Sequence, residues 1–386
     1  MVMVHHDSRD YKEAASEAAK HARGIMEQRI AEGRGSAVRL FNHLEREIPN
    51  DMLVPGKRFE FGLHSEKTVA NLPALRVGVE DEQLTIHRHA LGQLTAKIHM
   101  RGVGHYVSAL AASDRLSDRE QAAAILNYHY RDEELGSTRH YCREVNGELR
   151  GVLSDQYQPI DARPTLAAVA AACKKVGAIA IEGTYSAVQV GLKAYLPIIF
   201  EPVENEVMMV GIQWSTSDYG CGANVVCLTV LRLWCTNKAV MEQSLRQVHI
   251  GGRIEGEGVA YSPETLRKNS EAQAAKLHDT VLSLLGAKKV NTLMNTIRAA
   301  DEKRLEWRDV KTRLERALLK KELDAVRAAF ESDDIVRLPK GRSPWRVSNA
   351  ISLLAGQTED TDRRMDLERL AGAYVIGGDL PQVEAV

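Results

Sequence analysis

The fold is decided by residues 178–237, which read AIAIEGTYSAVQVGLKAYLPIIFEPVENEVMMVGIQWSTSDYGCGANVVCLTVLRLWCTN. Four strand-like runs follow one another in this stretch, at residues 178–186, 189–200, 206–215 and 224–235. The breaks between the later runs are too short to hold a crossover helix, so consecutive strands must pair antiparallel. We predict one contiguous antiparallel sheet, packed on a helix at residues 164–176 and on another helix after Asn237.

The second run shows which faces of this sheet are buried. Leu192 and Ala194 fall on one face, whereas Lys193 and Tyr195 fall on the other, because side chains alternate along a strand. The last run is apolar on both faces, which places it inside the sheet or beneath covering helices. A sheet of this kind needs helices packed against it, and we predict an α+β protein.

Hairpin and helix signals surround the central sheet. Asn146-Gly147 suits a two-residue turn between strands at 139–144 and 149–153, which adds an early hairpin to about four main strands. Ser117 and Glu120 form a capping-box pattern that predicts a helix reaching about Tyr130. A helix at residues 8–34 is predicted to end near Gly33 and Gly35. Further helices are predicted at residues 36–48, 88–99 and 301–331, and from Ser65, Ser262-Pro263 and Ser343-Pro344 onward.

These elements divide the chain into three parts. Residues 1–84 form an α-rich N-terminal region, residues 85–260 an α+β core domain, and residues 261–386 a helical region that packs on the core. The predicted helix at 301–331 carries a narrow apolar stripe with charge on both sides, as helix-pairing segments do. We predict a homo-oligomer that forms through these helices. Packing of the stripe within the same chain is the alternative, because the stripe is not a strict heptad.

Composition narrows the class of protein. The 386 residues carry a net charge of -1, which argues against a uniformly basic nucleic-acid binder and leaves room for a local basic groove. Five cysteines without a Cys-x-x-Cys pair indicate reduced thiols rather than a disulfide framework. The N-terminus has no signal-peptide pattern, and no run approaches the roughly 18 apolar residues of a membrane span. We therefore expect a cytoplasmic protein without membrane contact.

Metal and cofactor motifs are weak. His87, His89, His99 and His105 lie close together in the sequence, but they lack ligand spacing and a neighbouring set of cysteines or carboxylates. The glycines of residues 102–104 and 251–258 match neither the Walker nor the dinucleotide-binding pattern. We expect no metal and no small-molecule cofactor.

Catalysis has one local candidate, the region of residues 154–161 that begins with Ser154 and Asp155 and ends with Asp161. A nucleophilic serine needs a base, and no histidine lies nearby in the sequence. Organisation of a turn by Ser154 or Asp155 is the favoured interpretation, so no catalytic residue is predicted.

Basic residues form the more useful pattern. If they gather on one groove, they would neutralise the phosphates of a nucleic acid. Interleaved Glu144, Glu148 and Glu242 leave a solvated surface of mixed charge as the alternative. The candidates lie on or beside the early hairpin, on the polar face of the sheet, and on or after its last strand: Arg139, Arg143, Arg150, Lys193, Arg232, Lys238, Arg246, His249 and Arg253.

Several phrases in fixed order resemble one family. They are 90–94 (ALGQL), 151–161 (GVLSDQYQPID), 217–220 (SDYG), 232–237 (RLWCTN) and 345–350 (WRVSNA). Over roughly residues 85–375 the chain resembles the phage/plasmid-like proteins of the domain-of-unknown-function family nine-three-two, found in phages, prophages and plasmids. Members often carry Arg where this chain has Gln156 and Gly where it has Lys238. The resemblance implies no settled activity.

A weaker likeness concerns architecture. A curved antiparallel sheet followed by a helix is similar to the core of phage single-strand annealing proteins, which form rings and hold DNA in a basic groove. The leading hypothesis is therefore a non-catalytic DNA-metabolism protein of a mobile element. It would bind or anneal single-stranded DNA without sequence preference, as in DNA recombination. The alternative is a non-catalytic assembly or host-interaction protein that acts through charged helices.

Overall fold

A computed structural model describes residues 11, 13–67, 73–79, 82–233, 238–247, 262–334 and 338–377. The protein is α+β, as predicted, with sheets flanked by helices and a helical C-terminal part. The described residues form two sheets rather than one, because the predicted hairpin belongs to a different sheet from residues 178–233. Among the described helices, none is long and apolar enough to cross a membrane.

The first helix, α1 (Glu17–Arg46), replaces the two helices predicted on either side of Gly33. Ser16 caps it by accepting a hydrogen bond from the amide of Ala19. Gly33 does not end the helix but lets it approach a strand, because a Cβ at this position would lie 2.0 Å from the carbonyl oxygen of Ile181. The glycine therefore serves tertiary packing.

The first sheet has the strand order β1-β5-β6-β4-β3-β2, and its pairs are antiparallel except β4 with β6. The predicted hairpin around Asn146-Gly147 is confirmed as β5 and β6, with positive φ at both turn residues. The other four strands were not predicted. Residues 65–67, where a short helix was expected to begin, belong to a strand, and the rest of that expected helix lies outside the described residues. The strands are β1 (Asn50–Pro55), β2 (Glu60–Lys67), β3 (Pro73–Val79), β4 (Glu82–Ile86), β5 (Arg139–Val145) and β6 (Glu148–Ser154).

Four helices pack beside this sheet: α2 (Arg88–Ala96), α3 (Val103–Ala112), α4 (Leu116–Tyr130) and α5 (Glu133–Ser137). The capping box predicted at Ser117 is wrong, because α4 begins one residue earlier. Ser113 organises this turn instead, accepting from the amide of Arg115 and donating to Asp118. Leu94, Leu126 and Tyr130 from these helices join Phe59 and Phe61 in one core.

The second sheet confirms the contiguous antiparallel sheet predicted for residues 178–236, with the strand order β12-β11-β10-β8-β7 and β9 paired to β10. The helix predicted after Asn237 is wrong, because the chain continues as a strand, β12, that pairs with β11. This also departs from the strand-then-helix order of the annealing proteins. The strands are β7 (Ile179–Tyr185), β8 (Val190–Tyr195), β9 (Phe200–Val203), β10 (Glu206–Thr216), β11 (Asn224–Arg232) and β12 (Lys238–Gln247).

One face of the second sheet packs on α6 (Ala162–Val176), as predicted, through Leu166 and Val169. Leu192 and Trp214 meet this helix and the C-terminal helices in a single apolar core. That core removes a large apolar area from water, which is the main favourable contribution to folding.

The described residues of the C-terminal part form six helices, and the predicted long helix at 301–331 is broken into pieces. Its apolar residues Leu314, Leu318 and Val326 are buried in the core of the same chain, which is the alternative considered for that stripe. The caps predicted at Ser262 and Ser343 are confirmed. The helices are α7 (Pro263–Leu284), α8 (Ala287–Glu302), α9 (Trp307–Leu314), α10 (Lys320–Glu331), α11 (Pro344–Gln357) and α12 (Thr361–Ile376).

Candidate functional site

Two of the predicted basic residues lie inside the second sheet and its helical cover. Lys193 is only 5% exposed, and its Nζ lies 2.6 Å and 2.8 Å from the two carboxylate oxygens of Glu368 on α12. Arg232 is 2% exposed, with its Nε 2.5 Å and its Nη2 2.6 Å from the carboxylate of Glu206. Both cations are therefore neutralised by carboxylates of the same chain.

Arg150, from the early hairpin, is also buried. It donates to Glu47 and, at 2.8 Å, to Glu148. These carboxylates raise the pKa of Arg150 against the opposing effect of burial, so the guanidinium stays charged and paired. A group held in this way contributes to the junction between α1 and β6 rather than to an exposed surface.

Five of the other six predicted basic residues fall into three groups. Arg139 is exposed at the start of β5. Lys238 and Arg246 belong to β12. The structure describes the backbone of this strand, and the side chains fall outside the described part. His249 and Arg253 also lie outside the described residues. The structure thus places four of the nine cations, including Arg143, in interior ion pairs and does not gather those four on an exposed groove.

Arg143 is the centre of a polar cluster that joins the two sheets. Its guanidinium donates to Asp51 of β1 at 2.7 Å, to Asp161 at 2.8 Å, and to the backbone carbonyl of Asp218 at 2.8 Å. Asp161 directly precedes α6, and Asp218 follows β10. Two of the phrases that carry the family resemblance, 151–161 and 217–220, therefore meet at one buried side chain.

Asp218 is the most perturbed carboxyl of this cluster. Burial and the neighbouring charge of Asp161 raise the pKa of Asp218 to about 7, although Arg143 and the amide of Ala162 act in the opposite direction. The Ala162 amide donates to its Oδ1 at 2.8 Å. Near neutral pH this carboxyl is therefore partly protonated.

A third phrase of the resemblance, 90–94, reaches the same junction. Gln93 of α2 donates from its Nε2 to the carbonyl of Tyr219 at 2.8 Å, and its Oε1 accepts from the amide of Val152 at 2.6 Å. The His89 Nε2 lies 3.0 Å from the same Tyr219 carbonyl. Three distant phrases thus form one packed junction. Their order in the sequence was the only signal of it.

The catalytic candidate Ser154 does lie opposite a histidine. Its register partner across the hairpin is His140, whose imidazole is fully buried and stacks on Phe59 at 5.5 Å between ring centroids. Burial, followed by the nearby Lys97, lowers the pKa of His140 to about 4. Neither ring nitrogen bonds to Ser154, within the described part of the chain. The two residues therefore form a cross-strand pair without the hydrogen bond that would activate a nucleophile.

An open groove of about 580 Å³ lies between the C-terminal end of α1 and the N-terminal end of α6. We call it the acidic groove. Apolar side chains form much of its wall, including Phe41 and Ile48. Four carboxylates and one guanidinium also line it, within the described residues: Glu45, Glu47, Asp161, Asp218 and Arg163.

Residues 83–113 contain no Asp or Glu, and they form most of β4, then α2, α3 and the turn between the two helices. The turn exposes His99 and Arg101, followed by exposed His105 at the start of α3. Met100 is 57% exposed and Tyr106 is 51% exposed. We call these five residues the basic turn.

No group of three or more His, Cys, Asp or Glu residues in the described ranges could hold a metal ion. Comparisons with protein-family models, with curated proteins and with solved structures find no match. The geometry described above therefore carries the functional argument.

Proposed function

We propose that this protein binds single-stranded DNA without sequence preference, as a non-catalytic DNA-metabolism protein of a mobile element. The proposal assigns the contact to the basic turn rather than to the sheet residues first considered. Its main support is the 31-residue stretch at 83–113, which lacks carboxylates and exposes cations beside an aromatic ring. The likeness to phage and plasmid proteins, an expectation from sequence, points in the same direction.

Charge is the first physical argument for the basic turn. Arg88 and Arg101 are permanent cations in a segment whose own sequence contains no carboxylate, although the whole chain has a net charge of -1. Phosphate contacts dominate the affinity of non-specific DNA binders, and they require exposed cations. Arg88 and Arg101 are exposed, in contrast to the paired Lys193 and Arg232.

Exposed apolar side chains are the second argument. A half-exposed tyrosine offers a face on which a base can stack, and such stacking is worth about 1–3 kcal/mol per base and tolerates any sequence. Tyr106 lies five residues from Arg101, across the start of α3. Stacking and phosphate neutralisation would therefore act on adjacent parts of one strand.

The test is a fluorescence-anisotropy titration with a labelled oligo-dT and with a labelled mixed sequence. We expect similar affinity for both and a steep loss of affinity between about 50 and about 200 mM salt. Arg101→Glu should weaken both complexes and reduce the salt slope by about 1, as removal of a phosphate contact does. Tyr106→Ala should weaken both by about 1–3 kcal/mol.

The matched control is Arg308→Glu, the same charge reversal at an exposed position of α9. It should leave DNA binding unchanged within about twofold, because a single distant surface charge is largely screened by salt. Binding that ignores salt, or an equal effect of Arg308→Glu and Arg101→Glu, would discard the assignment to the basic turn.

A further inference from the structure

The acidic groove is separate from the basic turn, and its wall is unusually apolar for a surface. Ile48, directly after α1, is 58% exposed, and Phe41 is 39% exposed. Val38, one helical turn before Phe41, is 57% exposed and extends the apolar strip along α1. Pro164 and Ala167 of α6 are exposed on the opposite wall. Contiguous exposed apolar side chains with a polar rim mark interaction sites.

The size of the groove suits inserted side chains. Its volume of about 580 Å³ falls inside the range of roughly 300–1,000 Å³ that is usual for binding pockets. The walls come from two helices that are anchored in a core, since Leu40 of α1 and Val169 of α6 are both buried there. The groove is therefore preformed, which lowers the entropic cost of binding.

Charge indicates the chemistry of the occupant. The Glu45 and Asp161 side chains are 67% and 44% exposed, so both carboxylates are open to an incoming group. Arg163 lies 3.7 Å from Glu45. Arg143 donates to Asp161 and Arg150 donates to Glu47, but each guanidinium is shared with a second carboxylate, so the groove keeps a net negative charge. Glu47 and Asp218 line the deeper wall. A ligand with apolar side chains and a cationic group complements this surface, whereas an anion does not.

We propose that the acidic groove docks an apolar segment of a partner protein that carries an arginine or lysine. The apolar side chains of the segment pack on Phe41, Ile48 and Pro164. Its cationic group faces Glu45 and Asp161. This interaction does not depend on DNA binding, because none of the residues that line the groove belongs to the basic turn.

The probe is a labelled, terminally blocked peptide of leucine, alanine and arginine that forms an amphipathic helix. Its partner peptide has citrulline in place of every arginine, which keeps the shape and removes the charge. Anisotropy should show the arginine peptide binding at least about tenfold more tightly than the citrulline peptide. Ile48→Ser should weaken the arginine peptide by about tenfold, because one exposed apolar contact is lost.

Two further variants locate the site. Glu45→Lys should weaken the arginine peptide without changing the citrulline peptide. Leu116→Ser changes a side chain that is 48% exposed on α4, outside the groove, and should change nothing. A thermal melt checks that each variant folds. Equal binding of both peptides, equal loss in Leu116→Ser and Ile48→Ser, or no binding at millimolar peptide would each overturn the proposal.

Discussion

Asp218 shows how burial gives one residue a pH dependence that its sequence position does not reveal. The carboxyl lies near Arg143, Asp161 and Asp51, and the Tyr157 hydroxyl donates to the backbone carbonyl of Asp218. With its pKa at about 7, native Asp218 keeps a proton that the unfolded chain, with an ordinary pKa of about 3.9, has already lost. Between those two values the native state binds more protons than the unfolded state, so stability falls as pH rises.

Asp218→Asn should remove the contribution of this carboxyl to the pH dependence of stability. The amide oxygen still accepts from Ala162, so the fold should persist. As the pH rises from about 4 to 7, the unfolding free energy should fall less steeply in the variant than in the wild type. The difference in slope should be up to about 1.4 kcal/mol per pH unit. Urea unfolding at several pH values measures this slope, with the exposed Asp309→Asn as control. Parallel curves for wild type and Asp218→Asn would show that Asp218 has no raised pKa.

Lys193 and Glu368 allow a second test at the residue scale. Lys193→Met leaves the Glu368 carboxylate buried without its main partner, and we expect a loss of about 3–5 kcal/mol of stability. The double variant Lys193→Met with Glu368→Met removes both charges and should recover most of that loss. Denaturant unfolding of the three proteins gives the coupling energy. A Lys193→Met protein as stable as wild type would mean that the pair is open to solvent.

The sequence placed Lys193 correctly on the polar face of its strand but could not reveal what covers that face. Glu368 lies 175 residues further along the chain. The same holds for Arg143, whose partners come from residues 51 and 161. Local patterns identify which side chains share a face. They contain no information on the distant carboxylate that neutralises one of these side chains. A lysine or arginine of a buried ion pair was therefore predicted to be an exposed binding residue.

At the scale of elements, the crossing of α1 over β7 depends on two glycines. A Cβ at Gly33 would meet the Ile181 backbone at 2.0 Å, and one at Gly183 would meet the Ser36 carbonyl oxygen at 2.5 Å. Ser36 fastens the crossing, because its hydroxyl donates to the Gly33 carbonyl and accepts from the Gly183 amide. The helix can come this close only where side chains are absent.

Gly33→Ala should therefore destabilise the protein by about 1–3 kcal/mol through overpacking, although alanine favours helix. Gly24→Ala is the matched control in the same helix, since nothing lies within 4 Å of a Cβ there. It should stabilise by about 0.5–1 kcal/mol. Thermal or urea unfolding compares the two. Stabilisation by both substitutions would contradict the close approach of α1 to β7.

Element prediction succeeded where the signal was local and failed where it was not. The caps at Ser262 and Ser343 and the hairpin at Asn146-Gly147 follow from short-range chemistry and are confirmed. Gly33 has the local pattern of a helix end, and its packing partner β7 lies far away in the sequence, so the local pattern gives no sign of the close approach. The first sheet was missed because β4 and β6 pair in parallel across a long insertion of helices.

At the scale of the whole molecule, each sheet has its own apolar core, and the polar cluster around Arg143 connects them. The basic turn belongs to the helices of the first sheet. The acidic groove lies against α6, which packs on the second sheet. Simultaneous contact with DNA and with a partner protein would use one surface beside each core. The polar cluster around Arg143 would then fix the distance between these two surfaces.

The C-terminal helices complete the second core, and this bears on self-association. Homo-oligomer formation stays a prediction, but the stripe first assigned to it lies inside the chain: Leu314 and Val326 are fully buried. Leu314→Ala should therefore cost about 2–5 kcal/mol by leaving a cavity. The fall in Tm should be the same at every protein concentration, because the lost contacts are within one chain. Calorimetry across a hundredfold concentration range, with light scattering for mass, measures both. A Tm loss that grows with dilution would place Leu314 between subunits and restore the stripe as the interface.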